Sequence, residues 1–281
     1  MGTSRLHVVH TTAFRYTRPV SASYNEARMT PLAQPGQTVL DARLDVQPHT
    51  WAHEYRDYWG SAVTAFEVLA PHEQLVVTAE SRVEVADRPA PRTAGEWATL
   101  RSPALRDTLA EFLSDTPTTL VPEEVAALAA EAARGLAPAD AALAVCHAVR
   151  DELEYVPGVT AVHTPAADAW SARKGVCQDM AHLAAGALRS VGIPARYVSG
   201  YLQPLRDAEV GQTVTGESHA WVEWWAGEWT GYDPTNRVPV GERHVVLARG
   251  RCYDDVPPLR GIFAGAGTQS LDVEVRITRE A

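Results

Sequence analysis

Apolar and polar residues alternate over His7–Tyr16, Thr38–Val46, Val63–Val68 and Leu75–Val85, the period of two that turns one face of a strand to a core. Pro35-Gly36 and Pro71-His72 supply turns between these runs, and no helical period interrupts them, so residues 5–86 read as all-β. Asp87-Arg-Pro-Ala-Pro-Arg-Thr-Ala-Gly95 then has the composition of a linker. From Pro103 the period changes, and helices are predicted over 104–114, 122–134, 139–153 and 177–190. Pro122 with Glu123 and Glu124 suits a helix start, and Gly135, Gly192 and Pro194 suit stops. Strands are predicted again over Ala195–Leu202, Ser218–Trp225, Glu228–Tyr232, Val245–Ala248 and Leu271–Ile277, with Ala226-Gly227 as a hairpin turn. The second half therefore reads as helices followed by an antiparallel sheet, an α+β arrangement.

Composition narrows the function classes. The chain has 281 residues, 46% hydrophobic and 21% charged, enough to bury a proper core in one large domain or two modest ones. A formal net charge of −10 argues against a nucleic-acid partner. No apolar run approaches the ~18 residues that would indicate a membrane span, and the N-terminus enters a strand pattern without the apolar segment of a signal peptide. These features point to a protein without a membrane partner and to a cytoplasmic location. Cys146, Cys177 and Cys252 form no CxxC pair, which fits reduced thiols rather than a disulfide framework. The ten histidines show no ligand spacing and no Gly-rich phosphate loop occurs, so neither a metal nor a cofactor is expected.

Three residues stand out chemically. Cys177 opens a predicted helix, where the dipole and free backbone N–H groups favour thiolate over thiol. Its own N–H is placed to act as an oxyanion donor. His219 lies on a strand, sharing a face with Trp221 and Glu223, and Asp233 ends the next strand. A hairpin can bring that carboxylate to the imidazole, accepting the Nδ1–H and stabilising the imidazolium. Cys177 as nucleophile, His219 as base and Asp233 as orienter form a catalytic triad. Gln178, Tyr155, Trp170 and Trp221 are further candidates for oxyanion or substrate contacts. The Trp221, Trp224, Trp225 and Trp229 cluster offers part of a substrate wall. Asp179 reads as a helix cap, His182 as a packing residue beneath the nucleophile helix, and Cys146 as a core residue.

Gly175-Val-Cys177-Gln-Asp-Met-Ala-His182, Gly192-Ile-Pro-Ala-Arg-Tyr-Val-Ser-Gly-Tyr201, Ser218-His-Ala-Trp-Val-Glu223 and Gly231-Tyr-Asp-Pro-Thr-Asn236 together resemble the bacterial transglutaminase-like proteins. Tyr155-Val-Pro-Gly158 and the tail Asp255-Val-Pro-Pro-Leu-Arg-Gly261 extend the resemblance, as do His10-Thr-Thr-Ala-Phe-Arg-Tyr16 and Asp57-Tyr-Trp-Gly60 in the first half. Cys252 departs from the pattern, standing where an acidic residue is expected. The resemblance implies a papain-like α+β core carrying the triad, preceded by a β-rich N-terminal domain. The expected partition is a β-rich region over 1–90, a linker over 91–103 and a catalytic domain over 104–281. It also implies thioester chemistry on a peptide, isopeptide or glutamine amide of a peptide or protein substrate. Hydrolysis is favoured over amine transfer, and a binding module with a vestigial site is the reading of another class. Oligomeric state is left open.

Overall fold

The computed structural model describes residues 2–87, 94–216 and 218–281. Residues 88–93 of the linker-like Asp87–Gly95 stretch lie outside them, and so do 91–93 of the linker expected over 91–103. The first part of the chain supplies β1 (Thr3–Val20), β2 (Ala22–Ala27), β3 (Gln37–Gln47), β4 (Ala52–Arg56), β5 (Ala62–Val68) and β6 (His72–Ala86). The four predicted strands are present within β1, β3, β5 and β6. β2 and β4 carried no usable alternation, and every residue of β4 is exposed.

Helices follow: α1 (Trp97–Leu100), α2 (Pro103–Thr108), α3 (Glu123–Ala132) and α4 (Pro138–Asp151). The helix expected over 104–114 is shorter; it stops at Thr108 and a 3₁₀ turn over Ala110–Phe112 follows. Next come β7 (Glu154–Tyr155), α5 (Ala166–Ala172), β8 (Lys174–Gly175) and α6 (Cys177–Ser190). β9 (Ala195–Leu202), β10 (Thr213–Gly216), β11 (His219–Trp225), β12 (Trp229–Asp233), β13 (Val238–Pro239) and β14 (His244–Gly250) lead to β15 (Leu259–Ala264) and β16 (Gln269–Arg279).

Three main sheets result. The first is ordered β10-β16-β1-β6-β3, the second β15-β2-β5-β4, and the third β13-β12-β11-β9-β14. The strand expected over Leu271–Ile277 is present in β16, but it pairs with β1 along Leu6–Tyr16 instead of extending the third sheet. β15 likewise pairs with β2. By hydrogen bonding, β15 thus joins the N-terminal β2, and β16 lies between β1 and β10 in the first sheet. Alternation identifies a strand and its buried face; it does not name the partner strand.

α6 is the central helix. Leu183, Ala184, Ala187 and Leu188 join Val145, Cys146 and Val149 of α4 and Val222 and Trp224 of β11 in one apolar core. Small residues let other backbone approach closely, and a Cβ at Gly186 would lie 2.0 Å from the Thr119 carbonyl oxygen. A second core binds the first sheet to the third: Leu6, Val8, Val83, Val275 and Ile277 pack against Ala181, Tyr197, Tyr201, Val245 and Leu247. The 28–37 loop strengthens that junction. Gln37 donates to the carbonyls of Leu32 (2.7 Å) and Val246 (2.9 Å) and accepts from the Val246 N–H (2.8 Å), so one amide side chain acts as a short strand.

Candidate active site

The loop–helix joint before α6 is closed by Asp179, which is fully buried. Its Oδ2 accepts the Val176 N–H (2.8 Å) and the Thr160 hydroxyl (2.6 Å). This satisfies one first-turn donor from three residues on, the return half of a capping box. Burial raises the Asp179 pKa while these hydrogen bonds pull it back down. A side chain at Gly175 would meet Asp179 at 2.7 Å, so the backbone there must be bare. Cys177 is the first helical residue, half-buried at the mouth of a cleft that His219 also lines, and its sulfur is near enough to the His219 ring to raise that ring's pKa.

β11 and β12 bring in the other two groups. Val222–Tyr232 and Trp225–Trp229 pair across the hairpin, whose turn is made by Gly227 with φ 104°. This register sets His219 Nε2 2.8 Å from Asp233 Oδ2. The nitrogen assignment is the reverse of the sequence reading: Nε2 donates to the carboxylate, leaving Nδ1 for the sulfur. Strand alternation fixes which face the ring occupies, but not its orientation.

Asp233 is fully buried and accepts four hydrogen bonds. Besides His219, it takes the Asn236 N–H (3.1 Å) and side-chain amide (2.8 Å) and His244 Nε2 (3.3 Å). His244 was missed by sequence reasoning. It lies on β14, two strands from β11, and its Nδ1 accepts the Gly241 N–H (3.3 Å), which leaves Nε2 as the protonated nitrogen. Asn236 was visible in the Asp-Pro-Thr-Asn motif without an assigned role. Burial opposes the Asp233 charge, but its hydrogen bonds to His219 and His244 outweigh it and hold the carboxyl well below the usual range. Burial likewise opposes a charged His219, yet Asp233 and Cys177 together raise its pKa to about 10. The site therefore favours an imidazolium between a carboxylate and the sulfur.

The four accessory candidates divide. Tyr155 lines the cleft together with Cys177, His219 and Asn236. Gln178 borders Cys177 on the other side, in the cavity with Val162, and its amide donates to the Val162 carbonyl (2.8 Å) and so positions the 158–164 loop. Trp170 is remote: it sits in the helical core, donates to Glu124 (3.0 Å) and is stacked under the Arg173 guanidinium at 3.7 Å. Trp221 is fully buried with Val198, Val240 and Val246 behind the triad. Its ring centroid is 5.3 Å from His244 and 6.1 Å from His219. A Cβ at Gly200 would lie 2.5 Å from the Trp221 ring, so the glycine makes room for it. Trp170 and Trp221 are thus packing residues, because their indoles fill core space. Trp224 is buried too, Trp229 is covered by Arg196 at 3.9 Å, and none of Trp221, Trp224, Trp225 and Trp229 lines the cavities beside Cys177. His182 packs beneath α6 as expected, accepting the Tyr253 N–H (3.0 Å), with burial lowering its pKa to about 3. Cys146 is buried in α4, and burial pushes its pKa up.

Two cavities meet at Cys177 and His219. One, of about 250 Å³, is walled by Phe14 of β1, Leu271 and Val273 of β16, Val162, Leu259 and Tyr253. The other, of about 490 Å³, is more polar and includes Arg150, Tyr155 and Asn236. A separate hollow of about 480 Å³ between Tyr24, Trp51 and Ile262 lies on the second sheet, away from the thiol. Among the described residues no group of three or more His, Cys, Asp or Glu side chains could hold a metal ion, and no helix is long and apolar enough to cross a membrane.

Comparison with known proteins agrees with this architecture. Residues 6–84 match the family model described as the bacterial transglutaminase-like N-terminal region, and residues 126–234 match the transglutaminase-like superfamily. An uncharacterised protein of Mycobacterium leprae is 47% identical over 277 residues, 99% of each chain. An uncharacterised protein of Mycobacterium tuberculosis is 35% identical over 98% of this chain and 93% of its own. A crystal structure from Cytophaga hutchinsonii, described as that of a candidate cysteine protease, shares the fold with a TM-score of 0.79 at 20% identity, covering 99% of this chain and 91% of that one. With a β-rich N-terminal region, a papain-like α+β core and near-full-length relatives, the chain belongs to the bacterial transglutaminase-like proteins.

Proposed function

We propose that this protein is a cysteine-dependent acyl-transfer enzyme acting on an amide of a peptide or protein, with Cys177, His219 and Asp233 as its triad. The observation that carries the reading is the 2.8 Å His219–Asp233 hydrogen bond, on a ring that shares its cleft with a sulfur at a helix N-terminus. His219 takes the Cys177 proton, and Asp233 holds the imidazolium that forms. The thiolate attacks the amide carbonyl carbon, and the Cys177 N–H, which has no intrahelical acceptor, receives the developing oxyanion. His219 then gives its proton to the departing amine, the C–N bond breaks and a thioester remains. Water, deprotonated by His219, resolves the thioester and returns free thiol and acid. The polar cavity beside Cys177 supports hydrolysis as this second step, since it gives water a path to the sulfur side of the site. Tyr155, on that cavity, is the accessory residue retained as a substrate contact.

Incubation of the protein with a panel of peptide amides, with and without a primary amine, followed by mass analysis of the products tests this reading. Acid and free amine as products, abolished by Cys177→Ala, are expected; amine adducts would mark a transferase instead. An inert panel, together with iodoacetamide labelling of Cys177 no faster than of Cys146 or Cys252, would reject the enzyme reading.

A further inference from the structure

The inward face of the first sheet continues past the point where its core ends. Along β16, Ile277 and Val275 are buried against the third sheet, whereas the next residues on that face, Val273 and Leu271, are 44% and 54% exposed. Their partners on β1 run in step: Val8 faces Ile277, His10 faces Val275, Thr12 faces Val273 and Phe14 faces Leu271. A strand leaving a core normally turns polar on the face it exposes. Here the apolar pattern persists, and the uncovered end borders the cavity that contains Cys177 and His219. Val162, 45% exposed, and Leu259 complete the apolar rim.

The cavity also discriminates by charge. No Asp, Glu, Lys or Arg lines it among the described residues. His10, at its base, is neutral because burial lowers its pKa to about 4, and it hydrogen-bonds Tyr201 at 2.9 Å. A charged group seated among Phe14, Val162, Leu271 and Val273, rather than against His219, would lose water without gaining a partner. Its volume of about 250 Å³ lies below the ~300–1,000 Å³ of pockets that enclose a whole ligand. That space suits one side chain of a longer molecule.

We propose that Phe14, Val162, Leu259, Leu271 and Val273 form a specificity subsite for an aliphatic or aromatic side chain flanking the reacting amide of a polypeptide. The identity of the reacting bond rests on the acyl-transfer reading; the subsite itself does not. The N-terminal strands and the returning β15 and β16 thereby acquire a role in choosing the substrate.

The test uses full-length Cys177→Ala protein and fluorescein-labelled ten-residue peptides that differ only in the residues beside a central amide, being Leu, Phe, Ala, Asp or Lys. Anisotropy titration should show Leu and Phe peptides binding at least 10-fold tighter than Asp and Lys peptides. Adding Leu271→Asp and Val273→Asp should erase that preference, and the milder Leu271→Ala should reduce it at least threefold with an unchanged melting temperature. Equal affinity for all five peptides would overturn the subsite, as would a preference that survives both the aspartate pair and the alanine variant. The same peptides offered to the intact protein separate the two readings. Apolar preference in binding without turnover of any peptide keeps the subsite and rejects acyl transfer; turnover without preference does the reverse.

Discussion

The two walls of the cleft are built by different means. On the α6–β11–β12 wall the two carboxylates near the sulfur are held by polar partners: Asp179 by Val176 and Thr160, Asp233 by two histidines and Asn236. On the β1–β16 wall Phe14, Leu271 and Val273 face the cleft as apolar groups partly open to water. Reacting groups need fixed geometry, which comes from networks whose members satisfy one another. Recognition of an apolar side chain needs only surface that is uncovered before binding and covered afterwards. The proposed chemistry and the proposed selection thus fall on separate sheets, so one can change while the other is kept.

Substitutions should break that contrast in a definite order. Asp233→Asn keeps the shape but removes the charge that holds His219 charged and oriented, and kcat should fall about 10⁴-fold, the scale seen when a triad carboxylate is lost. Steady-state kinetics on whichever peptide proves active would check it; a loss under tenfold would remove Asp233 from the triad. Trp221→Ala should cost about 3–5 kcal/mol in a urea titration, as a fully buried indole behind the polar wall leaves a cavity. A stability change below 1 kcal/mol would show that the packing behind the triad is not needed.

A pH titration of stability comes next. The Asp233 carboxyl has its folded pKa depressed, so its contribution is fully present above its unfolded value of about 3.8 and is lost as pH falls below it. His219 has its pKa raised, so its contribution is present below about 6.5 and is lost as pH climbs toward 10. Wild type should therefore lose on the order of 2 kcal/mol more than Asp233→Asn when acidified from pH 5 to pH 2. Parallel acid limbs for the two proteins would refute the depressed carboxyl. Asp179→Ala should cost about 1 kcal/mol, the worth of a helix cap. Leu271→Ala, on the opposite wall, should stay within about 0.5 kcal/mol of wild type by thermal melting, as half-exposed residues do. A large cost there would make Leu271 a core residue and erase the distinction between the walls.

The site was legible wherever local physics fixes the answer. α6 begins at Cys177 and ends at Ser190 as read, because its periodicity, its Asp179 cap and Gly192 all act within a few residues. The β11–β12 hairpin was legible through Ala226-Gly227, and with it the approach of Asp233 to His219. What stayed hidden depends on distant partners. His244 reaches Asp233 only because β14 lies across β9 from β11, and no spacing in the chain records that. Trp170 and Trp221 belong to residue types that serve core and pocket equally, so burial had to be observed. β4 is exposed along its whole length, and a strand without a buried face leaves no period to read.

Pairing of β16 with β1 also sets a timetable. β6 ends at Ala86, whereas β16 ends at Arg279, 193 residues later (279 − 86). At ~5–20 residues per second, ribosomal synthesis leaves the β1 edge without this partner for roughly 10–40 s. α6 and the β11–β12 hairpin emerge within that interval, so a nascent chain possesses the Cys177 thiol and its proposed partners before it possesses the opposite wall of the cleft.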